Sequence, residues 1–172
     1  MRQGGVIAYP TEAVYGLGCD PFNRAAVDRL LAFKGRRRDK GLLLIAAEFS
    51  QVAGLLEDLQ PKVLDRVAVS WPGFVTWVLP VRSQVPGWLT GGRASLAVRV
   101  TAHPLAQALC RAYGGPLVST SANLSGRVPA RDSLTVRRYF GTALDYIVPG
   151  RVGGAARPSV IRDARTGALV RA

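Results

Sequence analysis

One histidine, one methionine and two cysteines are all the soft or imidazole side chains in this 172-residue sequence. Neither Cys19 nor Cys110 has a CxxC or Cys/His neighbour, so no zinc cage is on offer and both read as small buried hydrophobes. The eleven acidic residues are scattered, which excludes a calcium loop, and no metal site is predicted. A Ser/His/Asp triad would have to use His103, and no GxSxG elbow supplies its serine. His103 precedes Pro104 at a predicted helix start, where capping fits better than catalysis. There is no GxxxxGK[ST] phosphate loop, and Gly16-Leu17-Gly18 runs into Cys19-Asp20-Pro21, which breaks the dinucleotide fingerprint. No apolar run approaches the roughly 18 residues of a membrane span. The amino terminus passes directly into a strand-like run without a signal-peptide h-region, so a cytoplasmic protein is expected.

Negative charge is the scarcest commodity. Twenty-three basic residues against eleven acidic ones leave a net charge of +12, and only Lys34, Lys40 and Lys62 among the basic residues are lysines. The planar fork of arginine suits phosphate and carboxylate, so an anionic partner is expected, and a field of this size also draws polyanions such as tRNA. Most of these side chains are read as simply solvated. The clustered loop at 34–41, KGRRRDKG, is not.

Periodicity and punctuation predict a short strand over 5–9 ended by Pro10 and a helix over 24–33 capped by Asn23. A buried strand is predicted over 42–46, then helices from a Ser50 cap through 56 and over 61–69 with proline in the first turn. Strands follow over 74–79 and 95–100, the latter alternating so that Ser95, Ala97 and Arg99 share a face. A helix over 104–112, a strand over 116–119 and a helix over 134–140 lead to short strands over 146–148, 159–163 and 168–171. Helices and strands alternate early, while the later strands lie too close together for helical crossovers. The expectation is one α/β domain over 1–172 with a mixed parallel and antiparallel sheet and flanking helices.

What remains is a site of cations and hydroxyls. The segment 119–126, STSANLSG, crowds small hydrogen-bonding side chains against the apolar pair Leu117-Val118. By composition alone it reads as a polar turn at a strand exit. It stands beside two other unusual segments, 9–18 (YPTEAVYGLG) and the basic loop. Lys34, Arg36 and Lys40, with Arg99 beside Ser95, and with Thr11, Ser119, Ser121 and Asn123, could hold a polyphosphate and a small zwitterion. Such a set suits phosphoryl or nucleotidyl transfer, where positioning and charge stabilisation carry the catalysis and the substrate brings its own nucleophile.

Six segments in order, PTEAVYGLGCDP, the KxR of Lys34 to Arg36, the WPG of Trp71 to Gly73, SLAVRV, STSANLSG and the closing PSxIRDxxTG of Pro158 to Gly167, resemble the threonylcarbamoyl-AMP synthases of the YrdC/Sua5 family. The similarity covers nearly the whole chain and points to the short, single-domain bacterial TsaC type with its twisted YrdC-like sheet. The resemblance implies that L-threonine, bicarbonate and ATP give threonylcarbamoyl-AMP and pyrophosphate, the activated intermediate for t6A at position 37 of tRNA. It implies Lys34 and Arg36 as the catalytic cations. ATP would be held by Arg36, Lys40, Ser95, Ser121 and Arg171, with Lys34 and Asn123 supporting the phosphates. Threonine would be held by Thr11, Arg99, Ser119 and Ser159, with Arg99 on its carboxylate. Mg2+ would arrive with the ATP. The tRNA threonylcarbamoyl transferase machinery is the implied partner, with tRNA itself as a further one. Where many relatives carry Pro-Leu-Ile-Val-His, this chain has Gly41-Leu42-Leu43-Leu44-Ile45, so other groups must complete the threonine pocket. Relatives also usually begin with a helix ahead of the first strand. The competing reading is a non-catalytic module for structured RNA, which charge alone supports equally but which leaves the hydroxyl set unexplained.

Overall fold

In the computed structural model, which describes residues 1 and 3–171, strands and helices follow one another as β1 Ile7–Pro10, β2 Tyr15–Gly18, α1 Arg24–Lys34, β3 Leu43–Ala46, α2 Ser50–Ala53, α3 Pro61–Ala68, β4 Val75–Pro80, α4 Gly87–Thr90, β5 Ser95–Val100, α5 Pro104–Tyr113, β6 Leu117–Ser121, α6 Ser133–Phe140, β7 Tyr146–Ile147, β8 Val160–Asp163 and β9 Leu169–Arg171. They build a nine-stranded sheet in the order β7-β1-β2-β6-β3-β5-β4-β8-β9. The pairs β1/β7, β3/β5 and β4/β8 are parallel and the others antiparallel, so the sheet is mixed as expected.

The two faces of the sheet are covered unequally, and that inequality makes the site. Leu44 and Ala46 of β3, Leu96 and Val98 of β5 and Val118 of β6 point to one face. There they bury against Val27, Leu30 and Leu31 of α1, Val63 and Val67 of α3 and Val136 of α6. On the opposite face a smaller cluster joins Ile7 and Tyr9 of β1, Ile45 of β3 and Leu117 of β6 to Ala106 and Cys110 of α5. That helix covers only part of the face, and the rest is open. Period-two alternation decides which residues line the opening, because Arg99 is in register with Ile45 and Ala97 with Leu43.

Local chemistry explains most element ends. The Asn23 side chain accepts from the Ala26 N–H at 3.0 Å and starts α1, and Gly35, at φ 58°, closes it by donating to Ala32 and Leu31. Three expectations need correction. Ser50 does not cap a helix running to 56: α2 is a single turn whose preceding residue is Phe49, and Gly54 ends it. His103 stands at the cap position of α5, but its side chain makes no capping bond. It is buried, with Nε2 3.1 Å from the Arg151 carbonyl oxygen, tying α5 to the loop after β7. The third concerns β6, which continues through Ser121 beyond the predicted end at 119. Ser119, Thr120 and Ser121 of STSANLSG are therefore strand residues, because β2 pairs with Gly16↔Ser121 on one side and β3 with Leu43↔Ser119 on the other.

Candidate active site

The uncovered part of the sheet face is a cavity of about 660 Å³, to which β2, β6, β3, β5, β4, β8 and β9, seven successive neighbours in the sheet, all contribute lining residues. Nine of the eleven residues singled out in the sequence line it: Thr11, Arg36, Lys40, Ser95, Arg99, Ser119, Ser121, Ser159 and Arg171. Among the described residues no aspartate or glutamate does.

The lining is graded by depth. Thr11, Arg99, Ser119 and Ser159 are each less than a tenth exposed and form the floor. Arg36 is half-buried, while Lys40 and Arg171 stand exposed at the mouth. Gly16 borders the floor, where a Cβ would lie in contact with both Ser119 Oγ and Thr11 Cγ2 at 3.4 Å. The Thr11 hydroxyl donates to the Val14 carbonyl at 2.7 Å, so toward the cavity it presents lone pairs. Ser159 shares a 2.9 Å hydrogen bond with the fully buried Thr76.

Arg99 is the charge on the floor. Its Nη2 lies 3.3 Å from Glu12 Oε2, and its guanidinium carbon lies 5.4 Å from the Phe74 ring centroid. Burial lowers its pKa, with Glu12 and then Tyr9 acting in the opposite direction. Its Nε is buried without a hydrogen-bond partner, which marks a donor set with unfilled capacity. Glu12 in turn accepts through Oε1 from Thr101 Oγ1 at 2.7 Å and the Ala102 N–H at 3.2 Å. The backbone of residues 11–12 is strapped by the 149–157 loop, with Gly153 donating to the Thr11 carbonyl and Ala155 to that of Glu12.

Lys34 and Asn123 do not line the cavity; they stand behind it. Lys34 Nζ, at the last turn of α1, donates to the Ser121 carbonyl, to the Asn123 carbonyl at 3.0 Å and to Asn123 Oδ1 at 3.0 Å. All three ammonium protons are thereby engaged, so the expected phosphate support by Lys34 is indirect: it pins the strand end that carries Ser121. Burial, reinforced by the neighbouring Arg36, pulls the Lys34 ammonium down to about 8. Ser121 Oγ donates to Asn123 Oδ1 at 2.6 Å and shows the cavity acceptors, which suit a ribose hydroxyl better than a phosphate. Arg36 donates from Nη2 to the Gly41 carbonyl at 3.0 Å, and its pKa is lowered by burial and then by Arg171.

Sequence reasoning missed Arg93 and Phe74, both of which line the cavity. The pair Gly91-Gly92 ahead of Arg93, two residues before Ser95, was the available signal. Both cysteines are buried, with their thiols pushed up to about 12 by burial, in keeping with an inert role. No helix among the described residues is long and apolar enough to cross a membrane. Within the same residues, no group of three or more His, Cys, Asp or Glu could hold a metal ion.

Known proteins resemble this chain in sequence and in fold. The family model for Sua5/YciO/YrdC, described as telomere recombination, matches residues 1–172. A threonylcarbamoyl-AMP synthase of Halorhodospira halophila is 61% identical over 171 residues, covering 99% of this chain and 90% of its own. One of Coxiella burnetii is 53% identical over 171 residues, with 99% and 92% covered. The crystal structure of P. abyssi Sua5 complexed with L-threonine superposes with a TM-score of 0.92 at 32% identity; the match covers 99% of this chain and 51% of Sua5, about half its length. On the strength of a match along its full length and of relatives this similar, the chain belongs to the Sua5/YciO/YrdC family.

Proposed function

We propose that this chain is an L-threonylcarbamoyladenylate synthase, a nucleotidyltransferase that condenses L-threonine, bicarbonate or CO2 and ATP to threonylcarbamoyl-AMP and pyrophosphate. The observation that carries the reading is the depth gradient: hydroxyls and one buried arginine form a floor whose groups match a zwitterion, beneath a mouth of cations that have no carboxylate partner among the described residues and suit a triphosphate. The names of the curated relatives and the threonine complex of Sua5 support the same choice of substrates.

The roles follow from depth and from which hydrogen-bonding groups are free. Arg99 pairs the threonine carboxylate, and Thr11, Ser119 and Ser159 receive the rest of the amino acid. Ile45 stands where many relatives carry a histidine and is buried with Ala106 and Cys110 of α5, while β3 turns Leu43 to the lining, so the pocket is completed by these hydroxyls. Arg36, Lys40 and Arg171 hold the phosphates, and Ser95 and Ser121 hold the nucleoside. The threonine amine adds to the carbon of CO2 and releases a proton to solvent. A carbamate oxygen then attacks the α-phosphorus in line, and the bond to the bridging oxygen of the β-phosphate breaks as pyrophosphate leaves. Both reactants are anions, so the protein's task is to hold them together, and Arg36 does so where charge accumulates. No carboxylate among the described residues lines the cavity, so Mg2+ would come with the nucleotide that Arg36, Lys40 and Arg171 hold, and would supply neutralisation of part of its charge.

A mixed anhydride of this kind is labile and needs a prompt consumer. We place that consumer in the cytoplasm, as the transferase machinery that modifies tRNA, with tRNA itself drawn by the +12 charge. The test is pyrophosphate release from ATP by the purified protein. Release is expected only when threonine and bicarbonate are both supplied. Release that persists without threonine, or none under any condition, rejects the reading.

A further inference from the structure

Two backbone turns meet at the mouth of the cavity with no side chain between them. Gly41, which ends the basic loop, has φ 63°, and Gly91, which ends α4, has φ 65°. A Cβ on Gly91 would lie 2.6 Å from the Asp39 carbonyl oxygen and 2.7 Å from the Gly41 nitrogen. One on Gly41 would lie 3.1 Å from the Thr90 carbonyl oxygen. The approach is open only to glycines, and it is tied by the Leu42 N–H donating to the Leu89 carbonyl at 2.8 Å.

An arginine is fixed to each side of this contact. Arg36 donates from Nη2 to the Gly41 carbonyl at 3.0 Å. Arg93 donates from Nη1 to the Thr90 carbonyl at 3.2 Å, and that nitrogen lies 2.9 Å and 3.3 Å from where a Cβ on Gly91 and on Gly41 would sit. Each guanidinium is thus held at one nitrogen; Nε of Arg36 is buried without a hydrogen-bond partner among the described residues, and both side chains line the cavity. Neighbouring arginines differ: Arg37 is paired with Asp39, and Arg24 and Arg38 with Asp28. Neither Arg36 nor Arg93 has a carboxylate partner among the described residues, so both charges are kept for something that enters.

We propose that Arg93 is a further substrate-binding residue, which forms with Arg36 a two-guanidinium clamp on the β- and γ-phosphates and hence on the departing pyrophosphate. Two planar forks on one backbone platform match a group with several phosphate oxygens, and Lys40 and Arg171 line the same cavity. As the bond from the α-phosphorus to its bridging oxygen breaks, charge builds on the leaving group, and a cation already in place meets it without reorganisation. The inference deepens the adenylate-forming reading and rests on it for the reaction, but the clamp itself can be tested without turnover.

Calorimetric titration of wild-type protein, Arg93→Ala and Arg93→Lys with pyrophosphate and separately with AMP decides it. Arg93→Ala is expected to weaken pyrophosphate binding about tenfold or more while AMP binding moves by less than about twofold. Arg93→Lys, which keeps the charge and loses the fork, is expected to recover part of the loss. Unchanged pyrophosphate affinity in Arg93→Ala, or an equal loss for AMP, overturns the clamp. If the wild-type protein releases no pyrophosphate from ATP, the proposed function falls while the titration still decides the role of Arg93.

Discussion

Lys34 shows how one side chain can matter to a site it does not touch. Its ammonium holds the strand end bearing Ser121 through oxygens of Ser121 and Asn123, and burial has brought its pKa from 10.5 to about 8. It is charged below that value and neutral above it. As pH rises through about 8 the tie to Asn123 and Ser121 slackens, so kcat/KM for ATP at saturating threonine is expected to fall on an alkaline limb near that value. Lys34→Arg, which stays charged, should remove the limb. Stability moves the other way. Between about 8 and 10.5 the unfolded chain holds a proton that the folded chain has released, so this residue's contribution to stability rises with pH. A loss of activity there is therefore distinguishable from unfolding by a parallel melting measurement.

Among the elements, β2 is the one the sequence concealed. Tyr-Gly-Leu-Gly has weak strand propensity, yet it is paired on both sides, by β1 and β6. The pairing explains Gly18. A Cβ there would lie 2.5 Å from the Val118 carbonyl oxygen and 2.7 Å from a Tyr9 ring carbon, both in neighbouring strands. Gly18→Ala is expected to cost about 1–3 kcal/mol in urea unfolding, by overpacking. Gly54→Ala, where a Cβ meets nothing within 4 Å, should be within about 0.5 kcal/mol of wild type. The long apolar elements were legible because periodicity and punctuation agree in them: α1 between Asn23 and Gly35, β3 as an unbroken apolar run, β5 by alternation. The short α4 and the full extent of β6 were not, because tertiary pairing rather than local composition decides them. The same division runs through the site. Residues inside segments of unusual composition could be read directly. For Arg93 the Gly91-Gly92 pair ahead of it was the one local hint, and it took the meeting of Gly41 and Gly91 across the fold to set it apart from the other arginines.

On the scale of the whole molecule, the uneven covering of the sheet does the organising. One face is sealed by α1, α3 and α6, and α5 takes part of the other, leaving a recess whose buried end carries Thr11 and Arg99 and whose rim carries Lys40, Arg93 and Arg171. A recess whose floor lies beneath a charged rim imposes a queue. The amino acid must go in first, because a triphosphate seated on the rim would stopper the way to the bottom. Labelled threonine should accordingly dissociate more slowly when a non-hydrolysable ATP analogue is bound, and equal release rates with and without the analogue would show a second way out. The same geometry sets the order of departure. Threonylcarbamoyl-AMP, assembled between bottom and rim, is expected to stay shielded from bulk water until the pyrophosphate lifts clear.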